Sequence, residues 1–505
     1  MKKHVTKKVA VAVTMASMIM SMTACGGSEP AAPAEPAEPA TPDTNPDVQT
    51  PAEPDEEPAP YTVLNDPKTG KPYDLGGMEI ICRNWWSPED GSAQHEATTQ
   101  FEEDVLAYHE WLEKEYNFTF KYCGGLGWGA GITDEFTKYA TAGEDDQALL
   151  FTLPDGFQGP AFFSGLCWDW QQFDTVDLSD IKYKKNPVTE YSTFGDKTFG
   201  VLAGDAEIGN VIYFNRRILE EVGIDPDSIY EKEENGEWTW DAFEDMLKTV
   251  QAYDKDGNGE ADYKALCANG VGAAITTAAL GNGGNIIAKD ADGHLSSMIE
   301  DAKTVEAAEF AYRIVKDYFM NWHDPAVWDD YRSTYQDGKG AFLIEEGYAA
   351  QPWNFVGKCE DESGCVPFPT KDGKNFVTSV HGNIIVMPKV YDIEKARLIA
   401  FAYDAWETLP VGYEDYNSQA AEFNAYHLDE KGIQTEFDMQ KAIKANYAGY
   451  APDLEISTPL DGTTWSNVYF SNFDGTKTVS EINDSFHDKY EQVLSDWNAT
   501  LDAME

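Results

Sequence analysis

The stretch best equipped for chemistry is "DKDGNGEAD" at positions 254–262. Asp254, Asp256 and Asn258 occupy positions 1, 3 and 5 of an EF-hand-type loop, and Asp262 occupies position 9. Gly259 stands at position 6, where such a loop turns sharply. Oxygens at alternate positions can wrap one Ca2+, with the Glu260 carbonyl as a further ligand. Position 12 is Ala265 instead of a bidentate glutamate, so the pattern predicts a structural calcium site and not a switching sensor. The competing reading is a solvated Asx turn after a helix that ends at Tyr253. Catalytic spacings are missing from the sequence: there is no G-x-S-x-G, no phosphate-binding loop and no H-E-x-x-H, since "HEATT" at 95–99 lacks the second histidine. A glycosidase needs two carboxylates flanking the scissile bond. With 89 acidic residues some pair always looks suitable, so that signal decides nothing. The sequence assigns no catalytic residue and no organic cofactor.

The N-terminus sets where this chemistry takes place. Lys2, Lys3, Lys7 and Lys8 flank the start of an apolar run over 9–22, the pattern of a secretory signal and too short to span a bilayer with margin. Met22-Thr23-Ala24-Cys25 resembles a bacterial lipobox. That resemblance implies that residues 1–24 are removed as a signal peptide and that Cys25 carries a lipid as the first mature residue. Residues 26–60 are almost all Gly, Ser, Pro, Ala, Glu, Asp and Thr, which cannot bury enough apolar area to offset ordering entropy. Residues 25–75 therefore read as a lipidated cysteine and a disordered stalk, extended at about 3.1 Å per residue where proline dominates. Everything beyond it works on the extracellular face of the cytoplasmic membrane, which it touches through the anchor only. The net charge of −52 repels phosphate backbones and anionic head groups, which excludes nucleic acid as a partner. Six cysteines remain after Cys25. Cys359 with Cys365, and Cys82 with Cys123, are candidate disulfides for an extracellular site. Free buried thiols fit equally well, since six cysteines permit 15 connectivities.

The elements that position the candidates follow an α/β grammar. "GMEIICRN" (77–84), "FTFKYC" (118–123) and "ALLFTL" (148–153) read as strands. Between them lie helical patterns over 97–117, with Phe101, Val105, Tyr108 and Leu112 on one face, and over 133–143, with Thr133 as N-cap and Gly143 as stop. This order predicts a parallel sheet. Further strands fall at 210–215, within 338–348 and twice within 375–388. Further helices fall at 216–223, 239–253 behind an N-cap at Thr239, 393–406 and the C-terminus.

"VIYFNRRILEEVGIDPDS" followed by "NGEWTWDAFEDMLKTV" resembles extracellular solute-binding proteins of ABC importers, and specifically the sugar-binding type. "GNGGNIIAKDADGHLSS", "GKGAFLIEEGYAAQPWNF" and "VPFPTKDGKNFV" match further stretches of that family in order. The resemblance implies a two-lobed periplasmic-binding-protein-like fold, with mixed sheets, flanking helices, a hinge and ligand in the interlobe cleft. It places lobe one at 76–196 plus 363–412, and lobe two at 197–362 plus 413–505. It implies a monomer that delivers a carbohydrate, an oligosaccharide above all, to ABC permease subunits. The alternatives are a binder of another polar solute, such as a peptide or polyamine, and a secreted glycoside-active enzyme. Some proteins of this family carry a comparable loop with structural Ca2+.

Sugars present C–H faces that pack on aromatic rings and hydroxyls that need polar partners. Open α/β sheets bind ligands beyond the C-terminal ends of their strands. Trp85 and Trp86 follow the first strand, Trp128 lies in the Gly-rich segment after the second, and Asp155 follows the third. Trp353 matches a family position in the cleft wall of lobe two, and Trp465 sits in the loop "DGTTWSN". Asp205, Glu207 and Asn354 join Asp155 as candidate hydroxyl partners, because a carboxylate accepting from hydroxyls forms charge-assisted bonds. Trp238, Trp240 and Trp497 fall in helical patterns and are expected in the core or at helix caps. The lipobox yields a direct test: radiolabelled palmitate should mark the wild-type chain and not Cys25→Ser, and equal labelling of both would remove the anchor.

Overall fold

The computed structural model describes residues 61–504, except 93–96, 98, 144–145, 155, 325–326, 328, 414–415, 417–422, 424, 446 and 451–476. Cys25 and the stalk up to residue 60 lie outside the described residues, as do Asp155 and Trp465. No helix among the described residues is long and apolar enough to cross a membrane.

The first half follows the expected order: β1 (Met78–Arg83), α1 (Gln100–Tyr116), β2 (Phe118–Cys123), α2 (Ala130–Ala142) and β3 (Ala148–Leu153). α1 starts at a capping box, in which the Thr99 hydroxyl accepts from the Glu102 N–H at 3.2 Å and the Glu102 carboxylate accepts from the Thr99 N–H at 2.8 Å. Its face of Phe101, Val105, Tyr108 and Leu112 is buried. α2 begins three residues before the expected cap. Gly129, at φ 73°, precedes it, and the Thr133 hydroxyl instead donates to the Phe157 carbonyl at 3.1 Å. Gly143, at φ 68°, ends the helix as expected.

The chain continues through β4 (Glu207–Ile208), β5 (Asn210–Asn215), α3 (Trp240–Gln251), β6 (Lys264–Ala268), α4 (Gly270–Gly281), α5 (Ala302–Tyr318), β7 (Gly340–Glu346) and β8 (Ser363–Val366). It closes with β9 (Thr378–His381), β10 (Ile384–Val386), α6 (Ile393–Trp406), α7 (Glu430–Lys441), β11 (Ile443–Lys444) and α8 (Val479–Ala503). The first sheet runs β10-β3-β1-β2, parallel except for β10. The second runs β6-β7-β5-β8, with β6 parallel to β7 and β5 antiparallel to both of its neighbours. Thr239 caps α3, whose Phe243, Met246, Leu247 and Val250 are buried.

A third, small sheet, β11-β9-β4, joins the two lobes. Outbound, Val201 is still bridged to Ile385 beside the first sheet, and the chain then passes through β4 into β5 of the second. Inbound, it returns through β9 to β10 of the first. β4 and β9 pair antiparallel, Ile208 opposite Val380. These hydrogen bonds move the expected lobe borders. Ser363–Val366, expected in lobe one, pairs with β5 in the second sheet. The Trp238 and Trp240 indole N–H groups donate to the Pro367 and Pro369 carbonyls at 2.8 and 2.9 Å, which holds that stretch in lobe two as well. At the crossing the Gly209 N–H donates to the Ser379 carbonyl at 2.8 Å.

The six cysteines are free and buried, so neither candidate disulfide is present. In the β1–β2 register Cys82 faces Tyr122 while Cys123 faces Arg83, so the two thiols point to opposite sides of the sheet. The Cys359 thiol donates to the Tyr335 carbonyl at 3.5 Å, and the Cys365 thiol to Glu436 at 3.7 Å.

The lobes meet a second time away from the crossing. Lys289, in the hairpin 287–297 of lobe two, donates to the carbonyls of Glu190, Tyr191 and Thr193 at 2.9, 3.0 and 2.6 Å. Its ammonium lies 4.9 Å from the Phe194 ring centre and 5.0 Å from that of Tyr447. Beside it, Trp497 of α8 stacks on Phe163 at 4.5 Å.

A Cβ at position 209 would lie 2.0 Å from Ser379 Oγ and 2.7 Å from the Ser379 carbonyl oxygen. Gly209→Ala should therefore cost about 1–3 kcal/mol in a denaturant titration, the usual cost of overpacking. Gly131→Ala, in α2 with nothing within 4 Å of its Cβ, should change stability by less than about 1 kcal/mol. Equal effects at both positions would show that the crossing tolerates separation of its strands.

Candidate ligand-binding site

The lobe-one wall is built where the parallel strands end. Asn84, fully buried after β1, accepts from the N–H groups of Trp86 at 3.2 Å and Ser87 at 2.9 Å and donates to the Ser87 hydroxyl at 2.9 Å. This turn presents Trp85 and Trp86 edge to face, 4.5 Å between centroids, both half-buried. Trp85 rests against the core, and the Trp86 indole N–H is buried without a partner among the described residues. The turn is locked to the loop after β2, where a Cβ at Gly124 would fall 1.8 Å from the Ser87 carbonyl oxygen. Trp128, in that loop, is 64% exposed and meets Phe157 edge to face at 5.1 Å. Apolar surface of this size left open to water at strand ends is what a ring-stacking ligand requires.

The lobe-two wall carries the polar groups. Glu207 on β4 lines a small crevice with Tyr348, Gln351 and Tyr426, so the hinge strand brings it beside lobe two. Trp353 is half-buried in the turn that follows Tyr348. The Asn354 amide donates to the Tyr348 carbonyl at 2.8 Å and to Gln351 Oε1 at 3.0 Å, which fixes that turn. Five residues without an assignment from sequence converge nearby: Asn269 after β6, Tyr331 and Arg332, Glu345 near the end of β7, and Tyr348. The Glu345 carboxylate accepts from Asn269 at 2.9 Å and from the Tyr331 hydroxyl at 2.8 Å. Burial, then the charge of Glu346, pushes its carboxyl up to about 7. The sequence signal was present in "AFLIEEGY", an apolar strand that ends in two carboxylates and a glycine.

Asp205 stands apart from these groups. It pairs with Lys185 at 2.9 Å and borders a separate cavity of about 200 Å³ between Phe101, Lys182, Glu407 and Tyr416.

In the loop 254–262, Asp254 accepts from the N–H groups of Gly257, Asn258 and Gly259 at 2.7, 3.1 and 2.8 Å. Those bonds hold its carboxyl below the usual carboxylate range, with the Gly259 bond foremost. Asp256 accepts from the Asn258 N–H at 3.0 Å, Asn258 Oδ1 from the Glu260 N–H at 2.7 Å, and Asp262 from the Lys255 N–H at 2.7 Å. No three acidic, histidine or cysteine side chains among the described residues already converge as a metal-binding group. The donor set nevertheless suits a hard cation: the side-chain oxygens come from three carboxylates and an amide on one short, exposed loop.

No protein-family profile and no curated protein matches the sequence. Solved structures do match, in 590 chains. The ABC transporter associated binding protein of B. animalis subsp. lactis Bl-04, in complex with beta-1,6-galactobiose, superposes with a TM-score of 0.55 at 13% identity, over 83% of this chain and 98% of that one. UgpB of Mycobacterium tuberculosis, in complex with glycerophosphocholine, gives 0.55 at 14% identity over 83% and 98%. The cyclic alpha-maltosyl-1,6-maltose binding protein of Arthrobacter globiformis gives 0.53 at 15% identity over 84% and 99%. At such identities the likeness is one of fold, and it meets the expectation from sequence: the chain has the two-lobed α/β fold of ABC-transporter solute-binding proteins.

Proposed function

We propose that this protein captures a carbohydrate between its lobes and delivers it to an ABC permease without chemical change. What supports the reading is exposed Trp128 with half-buried Trp85 and Trp86 at the strand ends of lobe one, and the hydrogen-bonded group around Tyr348 and Glu345 at the strand ends of lobe two. Ring faces take the C–H side of a sugar, and carboxylate, amide and phenol groups take its hydroxyls. Two of the similar structures hold or are named for oligosaccharides, which supports the same class here. Bending at the crossing strands closes the lobes around the ligand. The lipid on Cys25 and the stalk tether a monomer at the extracellular face, within reach of the permease. Ca2+ in the loop 254–262 is structural: Asp254, Asp256, Asn258 and Asp262 hold it together with the Glu260 carbonyl, and it stiffens the loop between α3 and β6.

A thermal-shift screen against mono- and oligosaccharides tests the central claim, since a ligand that binds only the folded state raises the melting temperature. With the best sugar in hand, Trp128→Ala should weaken binding by roughly 30-fold, or about 2 kcal/mol, with little change in melting temperature. Trp240, stacked on Phe310 at 4.7 Å and 7% exposed, is the core counterpart. Trp240→Ala should lower stability by about 3–5 kcal/mol. Wild-type affinity in Trp128→Ala would remove that ring from the site.

Calcium is tested separately. Chelation should lower the melting temperature of protein purified with its native metal, added Ca2+ should restore it, and Asp256→Ala should abolish both effects. No response to chelator would leave the loop an Asx turn.

A further inference from the structure

A cavity of about 200 Å³ opens between the start of α1, the turn around Lys182, the segment that leads into β4 and the end of α6. None of the tryptophans of the lobe-one wall lines it. One side is apolar. Phe101 and Tyr416 stack with 4.1 Å between ring centroids, and Leu409 and Ile181 add aliphatic surface. Ile181 is 68% exposed, so this apolar surface stays open to water.

The other side is polar, and its hydrogen-bonding capacity is unevenly spent. Lys182 is saturated: its ammonium donates to the Asp404 carbonyl at 2.9 Å and the Thr408 hydroxyl at 2.7 Å, and pairs with the Asp404 carboxylate at 2.9 Å. Lys185 and Asp205, with side chains 28% and 13% exposed, hold each other at 2.9 Å. That single contact leaves N–H groups on Lys185 and an oxygen on Asp205 without a partner among the described residues. Glu407 accepts from the Tyr122 hydroxyl at 2.8 Å with one oxygen, and its second oxygen has no partner among the described residues. Burial pushes this carboxyl up to about 7, against the pull of the Tyr122 hydrogen bond and the Lys182 charge.

Unspent donors and unspent acceptors therefore share one cavity with an aromatic pair. A ligand ion would have to take one member of the Lys185–Asp205 pair and strand the other. A hydroxyl both donates and accepts, so a hydroxylated ring can bridge these side chains while the pair stays closed. Its C–H face suits the aromatic side. The volume lies below the about 300–1,000 Å³ of pockets that hold drug-sized ligands, so one ring fits and a chain of rings does not.

We infer that this cavity is a second ligand site, for a single uncharged sugar unit held by Lys185, Asp205 and Glu407 against the Phe101–Tyr416 pair. That the hydroxylated ring is a sugar rests on the carbohydrate reading proposed above.

The experiment is hydrogen–deuterium exchange of the full chain, read by mass spectrometry, with D-glucose, D-galactose and D-mannose as probes and L-phenylalanine as a zwitterionic comparison. At least one sugar should slow exchange of the amides around Phe101, Lys182, Asp205 and Glu407. Leu409→Trp, which fills the cavity, should abolish that protection. Asp205→Asn should raise the sugar concentration needed for it by about tenfold. Both variants are checked by melting temperature to be folded, and Asp205→Asn carries the test alone if Leu409→Trp is not. Undiminished protection in the folded variants overturns the inference. Sugar protection confined to the amides around Trp86 and Trp353 also overturns it, and leaves the carbohydrate reading standing. Protection of the cavity by L-phenylalanine and by no sugar overturns the choice of ligand. Failure of these sugars together with every oligosaccharide of the thermal-shift screen overturns both readings.

Discussion

The antiparallel contact between β4 and β9 is the constraint on which the rest of the structure depends. There the chain passes from one sheet to the other and back, and Ile208 faces Val380 across the two passages. The strands approach so closely that position 209 has no room for a side chain. The crossing itself adds few bonds between the lobes, the usual economy of a hinge, and the Lys289 and Trp497 contacts supply the rest of what joins them.

From that connection the division of labour between the walls follows. The parallel strands of lobe one deliver loops that Asn84 and Gly124 hold against each other, and those loops expose indoles. The second sheet contributes β6 and β7 side by side, so Asn269 and Glu345 leave adjacent strand ends and meet. In the proposed site one wall offers ring surface and the other offers oriented hydrogen bonds, as ligands with an apolar face and a polar rim demand.

Much of the first lobe was legible in the sequence because local signals there agree with each other. The capping box at Thr99, the apolar face of α1 and the stop at Gly143 all concern residues a few positions apart. The start of α2 was misplaced because Gly129 and Gly131 read as loop, whereas a glycine at positive φ also begins the helix. Lobe borders were harder: Ser363–Val366 joins the second sheet through partners near position 214, and no local pattern carries that register. The polar wall was missed for the same reason. Asn269, Tyr331, Glu345 and Tyr348 are ordinary residues until three separate segments bring them together. Of the two readings of the cysteines, free buried thiols hold; for Cys82 and Cys123 proximity along β1 and β2 was right, but a one-residue offset sends the two side chains to opposite faces.

The second meeting of the lobes, around Lys289 and Trp497, bears on how the chain is made. Tyr191 and Tyr450 stand 259 residues apart in sequence and are joined by a hydrogen bond from the Tyr450 hydroxyl to the Tyr191 carbonyl. Phe163 finds its stacking partner only in the last helix. During synthesis from the N-terminus, Phe162, Phe163 and Phe194 have been made long before the residues that cover them. Lobe one therefore completes this side of its core with rings from the far end of the chain, and a truncation that removed the C-terminal helix would leave Phe163 without its stacking partner.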